Sequence, residues 1–416
     1  MEDKIDYWCY LEPYAFVFRG NDKFVIYNTL NSEYIDCSPY DNDAQTIVEE
    51  LYLSNKSYCI GINKDLLNNN SFNEFLSKIT RSFSGGIVKN KGKAPFIFKP
   101  VLRIYYDPSK SDLKDEHLLG LNTLLYLHEV SFYLENNENL QEYNDCFRQF
   151  LYPKNAEKQC LSICHYKSII EQLAICQIDK VNIVPGNMEH TSLLMELLDL
   201  CHHYNLKTNV IIPYKRYLHT DLNLFFVNPK LTLKVLIHFP IDIKDLENQI
   251  NLSENSNIVW CMILSGEEDA ETIDKIAYSD AVKTEVLPWY KGNNMSFFRK
   301  YVFNTLDDII GTPVSKQTLF RRQVLNENFF GKLLVFPDGQ VHANANFPPV
   351  GNLLEQKLTQ IVYNEICNPS NAWFMTREKN NTVCNLCVNR HLCPSISNYE
   401  IVTGIHNMCY LNIDNQ

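Results

Sequence analysis

Two alternating apolar segments open the chain, Tyr14-Ala15-Phe16-Val17-Phe18 and Phe24-Val25-Ile26-Tyr27, joined by the turn residues Gly20-Asn21-Asp22. A third extended piece, Glu33 to Cys37, follows at once, so the pattern predicts a three-stranded meander. The period then changes to that of helices. Asp43 is placed to cap a helix with Ala44, Ile47, Val48 and Leu51 on one face. Ser71 with Glu74 forms a capping box ahead of Phe72, Phe75, Leu76, Ile79 and Phe83. Gly85 and Gly86 are expected to end that second helix. Residues 90–111, rich in Lys, Pro and Gly but holding Phe96-Ile97-Phe98, read as an extended connection packed on a neighbour.

Apolar, β-branched runs then recur at Val130–Leu134, Val181–Val184, Thr208–Ile212, Leu233–Phe239, Ile258–Leu264 and Lys283–Leu287, with helix-compatible stretches between most of them. That beat is the length of a strand, a loop and a covering helix, and continuous apolar strands imply burial on both faces. The expectation is an α/β architecture, either a doubly wound sheet or a partial βα barrel. Tyr214–Phe226 is the weakest helical stretch. After Thr312 the pattern changes again: Leu333–Phe336 and Gln340–Ala343 flank Pro337-Asp338-Gly339 as a hairpin, and Leu354, Leu358, Ile361 and Val362 suggest one helix before a cysteine-rich tail.

The chain has 416 residues, 45% hydrophobic and 21% charged, as expected of a globular protein with two or three domains. A net charge of −11 repels phosphate backbones, which argues against nucleic acid as a partner. No apolar run is long enough to suggest a membrane span. Fourteen cysteines with no secretion signal point to a reducing, cytoplasmic compartment; Cys201 and Cys261 read as small buried hydrophobes.

Four of the cysteines form a constellation. Cys384 and Cys387 enclose two residues, Cys393 returns after five more, and Cys409 after a further fifteen. Four thiolates in a short polar tail suit either a structural zinc ion or an iron-sulfur cluster, and spacing alone does not choose between them.

This tail, with the upstream Pro337-Asp338-Gly339-Gln340-Val341 hairpin and Gly351-Asn352-Leu353, resembles the C-terminal SPASM domain of radical SAM peptide maturases over about the last ninety residues. The resemblance implies one [4Fe-4S] cluster, with zinc as the alternative, held by Cys384, Cys387, Cys393 and Cys409. It implies that the family's inner cluster is missing, since Ser395 and Ser397 follow Cys393 and since Asn344 and Gln356 stand where its other ligands would be expected. The middle is similar to the partial (βα)6 barrel of radical SAM enzymes, yet the CxxxCxxC triad is reduced to Cys146, Phe150 and Pro153. Three thiolates are needed to hold the S-adenosylmethionine-cleaving cluster, so no such cleavage is expected. The glycine-rich turn of that family shrinks to Pro185-Gly186-Asn187, and Cys160 and Cys164, one helical turn apart with no third ligand, read as buried helix positions.

The first ninety residues resemble a RiPP recognition element, a winged-helix-like α+β module that takes a precursor's leader as an added strand. The match implies contact at Glu33, Tyr34, Ile35, Asp36 and Cys37 and at Phe75 and Ile79 of the following helix. The expected parts are residues 1–92, 93–312 and 313–416. Together they resemble the pseudo-radical-SAM proteins of Bacteroidales peptide-maturation systems.

Three functions follow. The first is a non-catalytic accessory protein that binds leader peptide, a radical SAM maturase, or both. The second is an electron-relay iron-sulfur protein serving such a maturase. The third is an enzyme using Glu189 and His190 or Glu267, Glu268 and Asp269 at the strand ends, or His202 and His203 on a helix. Against the third, acidic residues opening a helix ordinarily favour its dipole, and His202-His203, taken as mid-helix, lacks the spacing of a metal pair.

Overall fold

The computed structural model describes residues 5–21, 23–54, 57–100, 121–134, 149–150, 161–185, 192–219, 228–253, 256–276, 281–367, 370, 372–380 and 383–411. Tyr7–Leu11 (β1) comes first, followed by Ala15–Arg19 (β2), Phe24–Asn28 (β3) and Tyr34–Asp36 (β4). β2, β3 and β4 form the expected antiparallel meander, with Phe16 opposite Tyr27 and Ile26 opposite Ile35. Helix α1 (Asn42–Leu53) buries Ala44, Ile47, Val48 and Leu51, the four positions read from the pattern.

Its cap is Asp41 and not Asp43: the Asp41 carboxylate accepts the Ala44 N–H at 3.1 Å. After Cys59–Ile62 (β5), helix α2 (Asn70–Arg81) is likewise capped two residues earlier than expected, by Asn69, whose side chain accepts the Phe72 N–H. Ser71 lies inside α2, where its hydroxyl accepts the Asp41 N–H at 2.9 Å and ties the two helix starts together. The helix ends at Ser82, before the glycines. Gly85 instead opens Gly85–Lys89 (β6), where a Cβ would stand 2.2 Å from the Tyr10 carbonyl oxygen, so close pairing with β1 requires glycine there. β1 runs between β5 and β6, and both small sheets share one core with α1 and α2. Of the connection after residue 90, Ile97 pairs with Tyr58, whereas Phe96 and Phe98 are exposed; residues 101–111 lie outside the described residues.

The large sheet begins with Glu129–Tyr133 (β7), Lys180–Val184 (β8), Thr208–Pro213 (β9), Leu231–His238 (β10), Ile258–Leu264 (β11) and Lys283–Pro288 (β12). These six strands are parallel and lie in sequence order. A doubly wound sheet reverses its order at a switch point, and this one does not. Right-handed crossovers that always step the same way put their helices on one face. There Ile169 and Leu173 of the helix Ile163–Ile175 pack with Val130, Phe132, Val181 and Ile183, and Leu246 and Ile250 pack with Val235 and Trp260. β12 departs from the expected two-sided burial because it is an edge strand: Lys283 and Val286 are exposed.

Lys332–Val335 (β13) pairs in parallel with the other side of β7, and Gln340–His342 (β14) and Gly351–Asn352 (β15) continue the sheet antiparallel. Residues after 312 therefore complete the same nine-stranded sheet. The β13–β14 turn is the Pro-Asp-Gly turn read from the sequence, with Gly339 at φ +88°. The helix that follows spans Leu358–Cys367 and leaves Leu354 outside and exposed. Of the stretch 214–226 only Tyr214–Tyr217 is a described helix. Among the described residues no helix is long and apolar enough to cross a membrane.

Candidate functional site

The tail is organised around a buried ion pair. Arg377, on the short helix Arg377–Asn380, gives both Nη groups to Glu400, at 2.8 and 3.1 Å, with side chains only 10% and 2% exposed. Glu400 also accepts the Ser397 N–H at 2.8 Å, which fixes the start of the helix Asn398–Thr403. The same guanidinium donates to the Pro394 carbonyl at 2.6 Å and lies 3.6 Å from Cys384 Sγ. One side chain thus pins three separate loops of the tail.

Cys384 and Cys387 sit on one tight turn closed by the Cys387 N–H to the Cys384 carbonyl. The Cys393 N–H donates to the Asn389 carbonyl, and Cys409 forms a bridge with Asn304. Burial pushes the Cys393 thiol up to about 12 and the Cys384 thiol up to about 11, while Arg377 pulls both down. The Cys387, Cys409 and Cys384 thiols push the Cys393 thiol up a little further. The donor set suits a thiolate-bound ion or cluster. The side chains are not drawn together as a coordination shell, however: among the described residues no three His, Cys, Asp or Glu groups stand where they could hold a metal ion.

The predicted peptide edge lies directly against this tail. β4 ends its sheet, paired only with β3 among the described strands. Glu33 accepts the Asn28 N–H and Cys37 donates to the Phe24 carbonyl, so Glu33, Ile35 and Cys37 turn their main chain toward β3. By antiparallel alternation Tyr34 and Asp36 turn theirs to the open side. The side chains of Ile35 and Cys37 are buried and those of Glu33 and Asp36 exposed. Phe75 and Ile79 correct the expectation: both are 0% exposed within the core beneath the sheets and offer no surface to a peptide.

The joint between the module and the tail was not foreseen. Tyr34 donates its hydroxyl to Asn389 at 3.1 Å, Arg390 donates to the Arg19 carbonyl at 2.9 Å, and the Val314 N–H donates to the Tyr27 hydroxyl at 2.8 Å. Between these bonds Phe16, Phe18 and Tyr27 pack on Ile309, Val314, Leu319 and Leu392. The signal was present in the sequence, since a strand apolar on both faces needs a cover on both. The loop from Cys387 to Cys393 is thus fixed beside β4.

The inner face of the large sheet carries an apolar layer of Tyr133, Val184, Ile211, Leu236, Val259, Cys261 and Ile263. Phe150, which stands at the second position of an expected CxxxCxxC, packs against this layer, and its neighbour Gln149 forms a two-way amide pair with the Tyr290 backbone at 2.8 and 2.9 Å. Cys146 and Pro153 lie outside the described residues, as do Gly186, Asn187, Glu189, His190 and Cys160. Beneath the apolar layer, Ser131, Asn182 and Asn209 form a hydrogen-bonded row across three strands. Asn344 meets Asn346 and Asn398 in an amide cluster, whereas Gln356 lines a separate groove with His165 and Gln172.

The other enzyme candidates do not converge. Glu267 pairs with Lys300 at 2.7 Å, Asp269 accepts the Ser265 N–H and hydroxyl, and Glu268 lies on the same short helix opening. His202 and His203 end the helix Ser192–His203, both exposed, where the sequence had placed them in mid-helix. Cys164 is exposed rather than buried, while Cys201 and Cys261 are buried as expected.

No family model matches the sequence, and no curated protein does. Among solved structures, the chain is similar to SuiB of Streptococcus suis bound to precursor peptide SuiA, at 13% identity and a TM-score of 0.45 over 93% of each chain. It is also similar to SuiB bound to S-adenosylmethionine, at 13% identity and a TM-score of 0.41 over 92% of this chain and 94% of that one. Native anSMEcpe with bound AdoMet matches at 13% identity and a TM-score of 0.42, over 64% of this chain and 88% of that one. At these values they are likenesses only, and the function proposed for this chain rests on its own residues.

Proposed function

We propose that this chain is a non-catalytic accessory protein of ribosomal peptide maturation, which captures the leader of a precursor peptide as a strand beside β4 and presents it to a radical SAM maturase. In this reading residues 1–92 are the recognition module, 93–312 a partial βα barrel that has lost its catalytic cluster, and 313–416 a SPASM-like tail. The open edge of β4 carries the proposal: Tyr34 and Asp36 turn their main chain outward on a strand whose other edge pairs with β3, whose Ile35 and Cys37 are buried in the core and whose Tyr34 ring packs toward the tail. Such an edge gains main-chain hydrogen bonds from an added peptide, at about 1 kcal/mol net each.

The loss of catalysis rests on residue chemistry. A phenylalanine and a proline do not bind iron, and Phe150 is spent on packing the inner face. Cys384, Cys387, Cys393 and Cys409 would hold one [4Fe-4S] cluster, or zinc. The bound group would supply a cross-link between the Cys384–Cys393 loop and the Cys409 segment and, if iron-sulfur, a one-electron centre. Arg377 and Glu400 position the loops for it. The electron-relay alternative requires iron in the tail, so metal analysis after anaerobic reconstitution decides it: zinc alone removes the relay.

The test of capture is hydrogen exchange on the full chain with and without a candidate leader peptide. Protection of the Tyr34 and Asp36 amides is expected, with co-elution of peptide, chain and maturase on size exclusion. Binding that leaves those two amides unprotected refutes strand addition.

A further inference from the structure

Between the inner face of the large sheet and the tail lies a cavity of about 480 Å³, within the size range of small-ligand sites. Leader capture at β4 makes no use of it. Its charge is uneven. Glu129, 8% exposed, receives Asn182 on one oxygen at 2.6 Å and Lys180 on the other at 3.0 Å, and Lys332 stands 3.8 Å away. Two ammonium groups share one carboxylate, which leaves a positive excess inside a chain of net charge −11.

Lys332 is the less satisfied of the two. Burial holds its pKa below the usual lysine range, yet 40% of its side chain remains accessible, because the cavity opens onto it. Two of the neighbouring amides, Asn344 and Asn398, have their acceptors engaged. The Asn398 carbonyl oxygen accepts from both Asn344 and Asn346, and the Asn344 carbonyl oxygen accepts the Asn346 N–H and amide. Asn398 is left with N–H groups to offer, and Tyr399 lines the same space. Phe150, Leu287, Phe329 and Leu334 supply an apolar wall. A cation, amide and hydroxyl donors and an aliphatic surface together fit a carboxylate on a short hydrocarbon stem.

We propose that this cavity is a carboxylate-binding site for a glutamate-like group, with Lys332 as its charge partner. The group is either a free amino acid or an acidic residue of a peptide, and the chemistry of recognition is the same for both. The proposal stands apart from leader capture, since β4 lies in another sheet.

Saturation-transfer NMR on the full chain tests it with three probes: free glutamate, N-acetyl-glutamate methylamide and the glutamine counterpart of the latter. The capped glutamate probe is expected to bind about tenfold more tightly than its glutamine counterpart, the discrimination a charge-assisted contact gives. Free glutamate matching the capped probe assigns the site to a free amino acid, and preference for the capped probe assigns it to a peptide residue. Lys332→Met is expected to erase the discrimination and Lys332→Arg to keep most of it. Asn398→Asp, which sets a second carboxylate in the cavity, is expected to weaken the acidic probes while sparing the glutamine one. Equal binding of the glutamate and glutamine probes, no binding of either at tens of millimolar, or unchanged discrimination in a folded Lys332→Met chain overturns the assignment.

Discussion

The Arg377–Glu400 pair gives the sharpest test of how the tail is built. Arg377→Met keeps the length of the side chain but leaves the Glu400 carboxylate, 2% exposed, without its partner. An uncompensated buried charge costs about 3–5 kcal/mol. By the same arithmetic the locally open population rises roughly a hundredfold to several thousandfold. Cys384, 6% exposed and 3.6 Å from the guanidinium, reports that opening. The assay is the alkylation rate of Cys384, followed by peptide mapping in protein freed of metal with a chelator. Adding Glu400→Gln to Arg377→Met removes the orphaned charge and is expected to restore much of the protection, a coupling of about 2 kcal/mol. Wild-type labelling in Arg377→Met, or a double variant no better protected than the single one, would refute the view that this pair closes the tail.

Three further outcomes are expected. Burial pushes the Glu365 carboxyl up to about 7, opposed by two donors from Ser370. Its folded pKa lies above the ordinary value of 4.5, so its contribution is fullest below 4.5 and is lost as pH rises toward 7. Glu365→Gln should flatten that loss, roughly 2–3 kcal/mol in urea melts compared at about pH 5 and pH 8. Gly339→Ala meets both φ +88° and the Asn352 side-chain oxygen at 2.7 Å, and should cost about 1–3 kcal/mol in the same melts; a neutral result would mean the hairpin turn tolerates a side chain. Finally, Phe150→Cys with Pro153→Cys completes a CxxxCxxC spacing on the resident Cys146, and anaerobic reconstitution should then add roughly four iron atoms per chain. Unchanged iron content would show that three thiolates at this spacing do not suffice here to hold a cluster.

Strands buried on both faces were legible from composition alone, which is why β7, β8 and β11 fall where the apolar runs lie. β12 has a similar run but exposes it, since nothing in a local sequence says which strand ends a sheet. Helix faces were equally clear and their first residues were not. Asp41, Asp43, Asn69 and Ser71 are all competent caps, and the choice follows from a contact between helices, in which the Asn69 amide donates to Asp41 at 2.6 Å and to Asp43 at 2.9 Å. β1, β5 and β6 went unread because Tyr7–Leu11 finds its partners some fifty and eighty residues away. An apolar stripe at i and i+4 looks alike whether it fills a core or lines a groove, so Phe75 and Ile79 were assigned to a ligand when they belong to the interior. The cavity was invisible for a similar reason: Glu129 and Lys332 become neighbours only through the register of β7 with β13.

The locked joint between the first module and the tail bears on how a peptide captured as proposed would search for its destination. Because Tyr34, Arg19 and Tyr27 are all bonded to the tail side, a leader held at β4 would have a fixed anchoring point, and the residues beyond it would sweep a volume set only by their own length. An extended tether reaches roughly 3.3 Å per residue, so a dozen residues explore tens of ångströms at millimolar local concentration. Sites encountered within that radius need only weak affinity of their own, and spacing along the precursor, more than tight recognition of its far end, would decide which residue is delivered.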